Sequence, residues 1–97
     1  MGFFGGVTGF KWDAGNSHKN LIKHGVTNEE SEEAFADEKR IVREDKGHSL
    51  TETRHFLLGK TNQNRLLFIS FTIRGGMIRV ISARDVNKKE QTYYEEQ

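Results

Sequence analysis

"RLLFISFTIRGGMIRVISA", Arg65 to Ala83, holds two apolar runs joined by Gly75–Gly76. A glycine pair between two such runs supplies the positive φ angles of a tight two-residue hairpin turn. With both glycines at the turn centre, Arg74 faces Met77, Ile73 faces Ile78 and Thr72 faces Arg79. Period-two alternation then gathers Leu67, Ile69, Phe71 and Ile73 on one face with Ile78, Val80 and Ser82, the expected core. Phe68, Ser70 and Thr72 fall on the wetter face with Arg79, Ile81 and Ala83.

The strand before this hairpin, Thr53–Lys60, joins it through "TNQN", Thr61–Asn64. A four-residue turn there puts Phe56 and Leu58 on the core face and His55 opposite Ser70, beside Arg79; a slip of one residue exchanges the two sets. "KRIVRED", Lys39–Asp45, is a short strand with charged flanks, the pattern of a sheet edge. Nearer the N-terminus, Phe10–Asp13 is extended. Asp13 then caps a helix over "AGNSHKNLIKH", closed by Gly25 with Val26 packing back on Leu21. Thr27 and Glu30 make a capping box for a second helix to about Phe35. After the hairpin, Asp85 or Asn87 caps a last helix carrying Tyr93 and Tyr94. The order predicts an α+β domain: an antiparallel meander sheet with two N-terminal helices and a C-terminal helix, all on one face.

With 97 residues there is room for one domain, expected over 10–97 behind a flexible glycine-rich lead-in, 1–9. The segment "MGFFGGVTG" lacks the basic and long apolar parts of a signal peptide, and no run reaches membrane-spanning length. The chain has no cysteine, so disulfides and thiolate metal sites are excluded and a reducing cytoplasm is the expected location. His18 and His24 fall on different sides of a helix, and His48 and His55 match no common zinc spacing. Neither metal nor other cofactor is expected.

Net charge is only +1, but it is unevenly spread. From Arg54 to Lys89 eight cations stand against one acid, Asp85. A basic half of this kind is the footprint of a polyanion binder. Direct DNA reading does not fit, because the second helix, "NEESEEAF", is acidic. RNA cleavage without metal needs a base for the 2′-hydroxyl, an acid for the leaving oxygen and cations for the phosphate. Arg79, with His55, Thr53, Ser70 and Thr72 on the open face, supplies such an inventory. Arginine suits it because its planar fork gives two parallel hydrogen bonds to a phosphate. Trp12 either seals the small core or stacks on a base.

"WDAGNSHKNLIKHGVTNEES", then "HSLTETR", "IRVISARD" and "EQTYYE", in this order and spacing, resemble the BrnT toxins of bacterial type II toxin–antitoxin systems, from Phe10 to Glu95. That resemblance implies a RelE-like ribonuclease toxin that cuts RNA to arrest growth. It also implies a ribbon-helix-helix antitoxin (BrnA-like), through which the complex binds operator DNA. By position, Trp12, Asp13, Asn20, Lys23, His24 and Gly25 fall on the opening motif, and His48, Ser49, Glu52 and Arg54 on the central one. Arg79, Ser82, Ala83 and Arg84 match the last strand, and Glu90 and Tyr94 the final helix. Asn16 stands where a lysine is usual, Glu38 replaces a proline, and His55 replaces an aromatic. The roles expected from motif and register together are phosphate binding by Arg79 and Arg84, acid or base among His48, Glu52 and His55, and orientation by Arg54. Trp12, Lys23, His24, Lys60 and Tyr94 are the expected RNA contacts. The alternative is a non-catalytic module of the same fold that binds RNA or sequesters its antitoxin through the basic face.

Overall fold

The computed structural model describes residues 6–48 and 51–97; Ser49 and the first five residues of the lead-in lie outside that range. The described strands are β1 (Gly9–Phe10), β2 (Ile41–Glu44), β3 (His55–Lys60), β4 (Leu66–Arg74) and β5 (Met77–Asp85). They form one sheet in the order β1-β5-β4-β3-β2. Three helices accompany it: α1 (Lys19–His24), α2 (Asn28–Phe35) and α3 (Lys88–Glu95). The class is α+β, with β2 at an edge as its charged flanks suggested. The sheet is not a pure meander, because β1 runs parallel to β5, pairing Gly9 with Met77 and Phe10 with Ile78. Gly9, placed in the lead-in by composition, therefore already belongs to the sheet.

The Gly75–Gly76 turn sits where the sequence put it, with φ of 56° and 77°, and the pairs from Arg74–Met77 to Phe71–Val80 hold. Between Ser70 and Phe71 the register shifts by one residue. Ser70 then faces Ser82 and Ile69 faces Ala83, so Ala83 enters the core and Ser82 leaves it, the reverse of simple alternation. Backbone groups along this bulged stretch are satisfied from α1 and the loop before it. Asn16 Nδ2 donates to Val80 O at 3.1 Å, Lys19 Nζ to Ile81 O at 3.3 Å, and Asn20 Oδ1 accepts from the Ala83 amide at 3.0 Å. These side chains cover the strand edge that the two-residue β1 is too short to reach. Asn16 and Asn20 are buried accordingly.

The other hairpin took the slipped register. Thr61 and Arg65 close the turn, the Thr61 amide bonding Arg65 O at 2.9 Å, and Asn64 adopts φ 66°. Three loop residues with the last left-handed form a bulged turn, not a four-residue one. His55 consequently pairs with Phe71 and Phe56 with Ser70. Phe56 and Leu58 thus leave the expected core face, and His55 enters it.

Both sheet faces are apolar, which is why alternation could not choose between them. The first face carries Leu57, Leu67, Ile69, Phe71, Ile78, Val80 and Ala83 against Val26, Ala34 and Phe35. α2 starts at the expected capping box, where Thr27 Oγ1 accepts from the Glu30 amide and Glu30 returns the bond. α1 is shorter than predicted. Asp13 instead holds a turn, its carbonyl accepting from Asn16 N and Ser17 N, and Gly25 at φ 67° ends the helix. Val26 is in the core, whereas Leu21 is 44% exposed. The second face packs Ile41 and Leu58, with Phe56, Leu66, Phe68 and Val86, against Tyr94 of α3. The helices therefore lie on both faces, correcting the one-sided expectation. Of the two expected caps for α3, Asn87 is the one used, with Glu90 completing its box.

Candidate functional site

Beyond the part of the second face that α3 covers, the sheet ends at the Gly75–Gly76 turn in a cleft of about 520 Å³. Lys11, Asp13, Arg74, Gly75, Met77 and Arg79 line it. The register explains why two arginines meet here: Arg74 and Arg79 lie on the same face of neighbouring strands, with Thr72 opposite Arg79. Thr72 is buried and its hydroxyl has no hydrogen-bond partner among the described residues.

Each cleft arginine holds a carboxylate. Arg74 binds Glu52 through both Nε and Nη2 at 2.8 Å, the parallel fork geometry that gives arginine its grip on anions. Arg79 Nη1 donates to Asp13 Oδ2 at 2.8 Å. The hydrogen bond from Arg74 holds the Glu52 carboxyl below its ordinary value, and the charges of Arg54 and Arg79 add to the effect. Glu52 therefore stands in the field of three arginines and is ionised at neutral pH. Asp13 is lowered for the same kind of reason, first by Arg79 and then by the Gly15 amide. Three cations, Lys11, Arg74 and Arg79, thus line the cleft against Asp13, with Glu52 bound at Arg74, leaving an excess of positive charge for an incoming anion.

Of the residues predicted from sequence, Arg79 lines this cleft and Glu52 is bound at its edge through Arg74, while Arg54 contributes its charge to Glu52. Lys11, Asp13 and Arg74 were missed. Arg74 was within reach, since the glycine-turn register already put it on the face of Arg79. Asp13 stood out as a cap and as a motif position, but its place beside Arg79 was not legible, because the parallel pairing of β1 leaves no local signal.

The other predicted residues lie elsewhere. His48 is exposed on the 3-10 turn Lys46–His48, its Nδ1 3.0 Å from Asp45 Oδ2. His55 stacks on Phe71 at 5.4 Å on the first face, with Nδ1 buried and without a partner among the described residues, so the sheet separates it from Arg79. Arg84 lies 4.3 Å over the Phe68 ring and binds both oxygens of Glu90 at 2.9 and 3.0 Å, which pins α3 to the sheet. Trp12 packs on the first core and donates Nε1 to Glu32 at 2.7 Å, the sealing role of its two readings. Lys23 is exposed on α1, and the His24 carbonyl accepts from Arg65. Lys60 stands 5.7 Å from the ring of Tyr94, which is buried with its hydroxyl donating to Asp37 at 2.5 Å.

Among the described residues no three histidine or carboxylate groups gather as a metal site. No described helix is long and apolar enough to cross a membrane. No curated protein matches the chain. The family model of the ribonuclease toxin BrnT of type II toxin–antitoxin systems matches residues 12–90, and with that span, most of the domain, the chain belongs to the BrnT family.

Proposed function

We propose that this toxin is a RelE-like endoribonuclease that cleaves RNA without a metal ion, with the Arg74–Arg79 cleft as its phosphate site. The observation that carries the reading is the excess of cations over carboxylates in one cleft at the end of the sheet. In transphosphorylation the 2′-oxygen bonds to phosphorus, the P–O5′ bond breaks, and the phosphorane between them gains negative charge. Arg79 stabilises that charge, as a fixed cation does wherever charge develops. Glu52, kept ionised by its arginines, accepts the 2′-hydroxyl proton. The leaving 5′-oxygen takes its proton from solvent, since His48 is exposed on a separate turn beside Asp45. The products are a 2′,3′-cyclic phosphate and a 5′-hydroxyl.

The family places the chain in a toxin–antitoxin pair. The partner we propose is a ribbon-helix-helix antitoxin, BrnA-like, an acidic segment of which competes for the cleft in the cytoplasm while its DNA-binding domain represses the operon. Purified protein incubated with single-stranded RNA and EDTA is expected to yield cyclic-phosphate ends, and Arg79→Ala to slow cleavage at least 100-fold. Cutting that stops with EDTA, or an Arg79→Ala variant as fast as wild type, sinks the assignment. Induction without growth arrest and without cleavage favours the non-catalytic alternative.

A further inference from the structure

Asp13 meets Arg79 from a loop that is itself built onto β5 beside that arginine. The Asp13 carbonyl accepts from the Asn16 amide at 3.1 Å and the Ser17 amide at 2.7 Å. The buried Asn16 side chain accepts from the Asp13 amide at 2.8 Å and donates to Lys11 O and Val80 O, both at 3.1 Å. Val80 is the next residue after Arg79, so Asn16 fixes the backbone of Asp13 to the backbone of Arg79. The carboxylate is fixed as well: Oδ1 accepts from the Gly15 amide and Oδ2 from Arg79 Nη1, both at 2.8 Å. Neither oxygen is left to turn.

We propose that Asp13 is a positioning residue for the ribonuclease reaction, a role that rests on the reading of the cleft given above. An arginine side chain has many rotamers, and ordering one during the reaction costs entropy. Asp13 holds the Arg79 fork by one of its five donors before substrate arrives, so that the fork meets the phosphorane without rearranging. Asp13 also bears a negative charge in a phosphate site, which opposes ground-state binding. The ordered fork is what raises turnover while the charge lowers affinity, and that combination separates the role from a merely structural ion pair.

Gly15 provides a second handle. A Cβ there would stand 2.9 Å from Arg79 Nη2 and 3.2 Å from Asp13 Oδ1, and Gly15 is not among the glycines with positive φ. Alanine at this exposed position thus displaces the fork without removing a polar group or straining the backbone.

The experiment compares wild type, Asp13→Asn and Gly15→Ala for steady-state cleavage of a single-stranded RNA in EDTA. It also measures binding of the uncleavable all-deoxy oligonucleotide of the same sequence, with thermal melting as the check on folding. Both variants are expected to lose at least 10-fold in kcat. Deoxy-oligonucleotide affinity should stay within about twofold of wild type for Gly15→Ala, and be equal or tighter for Asp13→Asn. A folded variant with wild-type kcat overturns the positioning role and leaves the ribonuclease reading standing. So does a faster Asp13→Asn, which would make Asp13 a blocking anion, or a loss confined to binding. If Asp13→Asn fails to fold, Gly15→Ala decides by the same criteria. Wild-type protein that cuts no RNA overturns the ribonuclease reading and this role with it.

Discussion

Gly59 of β3 lies against the last turn of α2, where a methyl group would collide with the backbone carbonyl of Ala34. The two residues set the distance between helix and sheet on the first face, and both are buried. Gly59→Ala must push α2 outward across a close-packed core, which costs about 1–3 kcal/mol. Urea unfolding is expected to show a lower midpoint at unchanged slope; an unmoved midpoint would mean that the helix yields freely.

Among the described residues His55 leaves a buried ring nitrogen without a partner while its ring stacks on Phe71. Replacing an unsatisfied polar group by an apolar one of similar shape is neutral or stabilising. His55→Phe should therefore melt at or slightly above the wild-type temperature. RNA cleavage should be unchanged, because the side chain lies across the sheet from Arg79. A large loss of activity in the folded variant would return His55 to the catalytic set.

Arg65 ties three elements at once. It binds Asp85 through Nε at 2.7 Å and Nη2 at 3.0 Å, Glu30 at 3.2 Å, and the carbonyls of His24 and Gly25 at 3.3 and 2.9 Å. Arg65→Ala strands two carboxylates and the end of α1. The expected loss is about 2 kcal/mol, read as a Tm lower by roughly 10 °C in a domain of this size. A shift under 2 °C would show that water replaces the clamp.

Arg84 and Glu90 are partly exposed, with side chains 36% and 20% accessible, so their pair is worth less than its two short bonds suggest. A double-mutant cycle with Arg84→Ala and Glu90→Gln should give a coupling of about 0.5–1 kcal/mol. No coupling would leave the docking of α3 to Tyr94 and its apolar neighbours.

Acid is expected to unfold the protein through its paired carboxylates. Glu30 is held below its ordinary 4.5 by the Thr27 amide against the opposing effect of burial, with Arg65 adding to the amide. Asp85 is held below its ordinary 3.8 by Arg65. In Asp37 and Glu90 burial pushes upward but is outweighed, by the Tyr94 hydroxyl and the Lys60 and Lys39 amides in one case and by Arg84 and the Asn87 amide in the other. The unfolded chain binds these protons first as pH falls, so acid favours it. Stability should be level from about pH 7 to 5, then drop below about 4.5 and keep dropping until the folded-state carboxyls also protonate. Urea midpoints at pH 7, 5 and 3.5 check this, and a midpoint that rises on acidification would contradict it.

Local signals carried the fold a long way. The two positive-φ glycines, the Thr27–Glu30 box and the charged flanks of β2 each act within a few residues, and each is found where the sequence placed it. The expectations that failed depended on distant partners. The bulge near Ile81 depends on Asn16, Lys19 and Asn20, some sixty positions away. The Thr61–Asn64 turn depends on Asn64 going left-handed, and with apolar residues on both faces nothing in the strands opposed the slip. For the same reason Arg74 was legible from a turn, and the pairing of Asp13 with Arg79 only from the folded chain.

The sheet also works as a partition between two cores of unequal hold. α3 is pinned by Arg84–Glu90, by the Tyr94–Asp37 hydrogen bond and by Arg43 over the Tyr93 ring, and it buries only Tyr94 among its residues. Lifting it away leaves the Phe35–Phe71 side closed. Backbone hydrogens should therefore exchange with deuterium on two clocks, those of α3 through a small opening of its own and those of central β4 and β5 only when the whole domain comes apart.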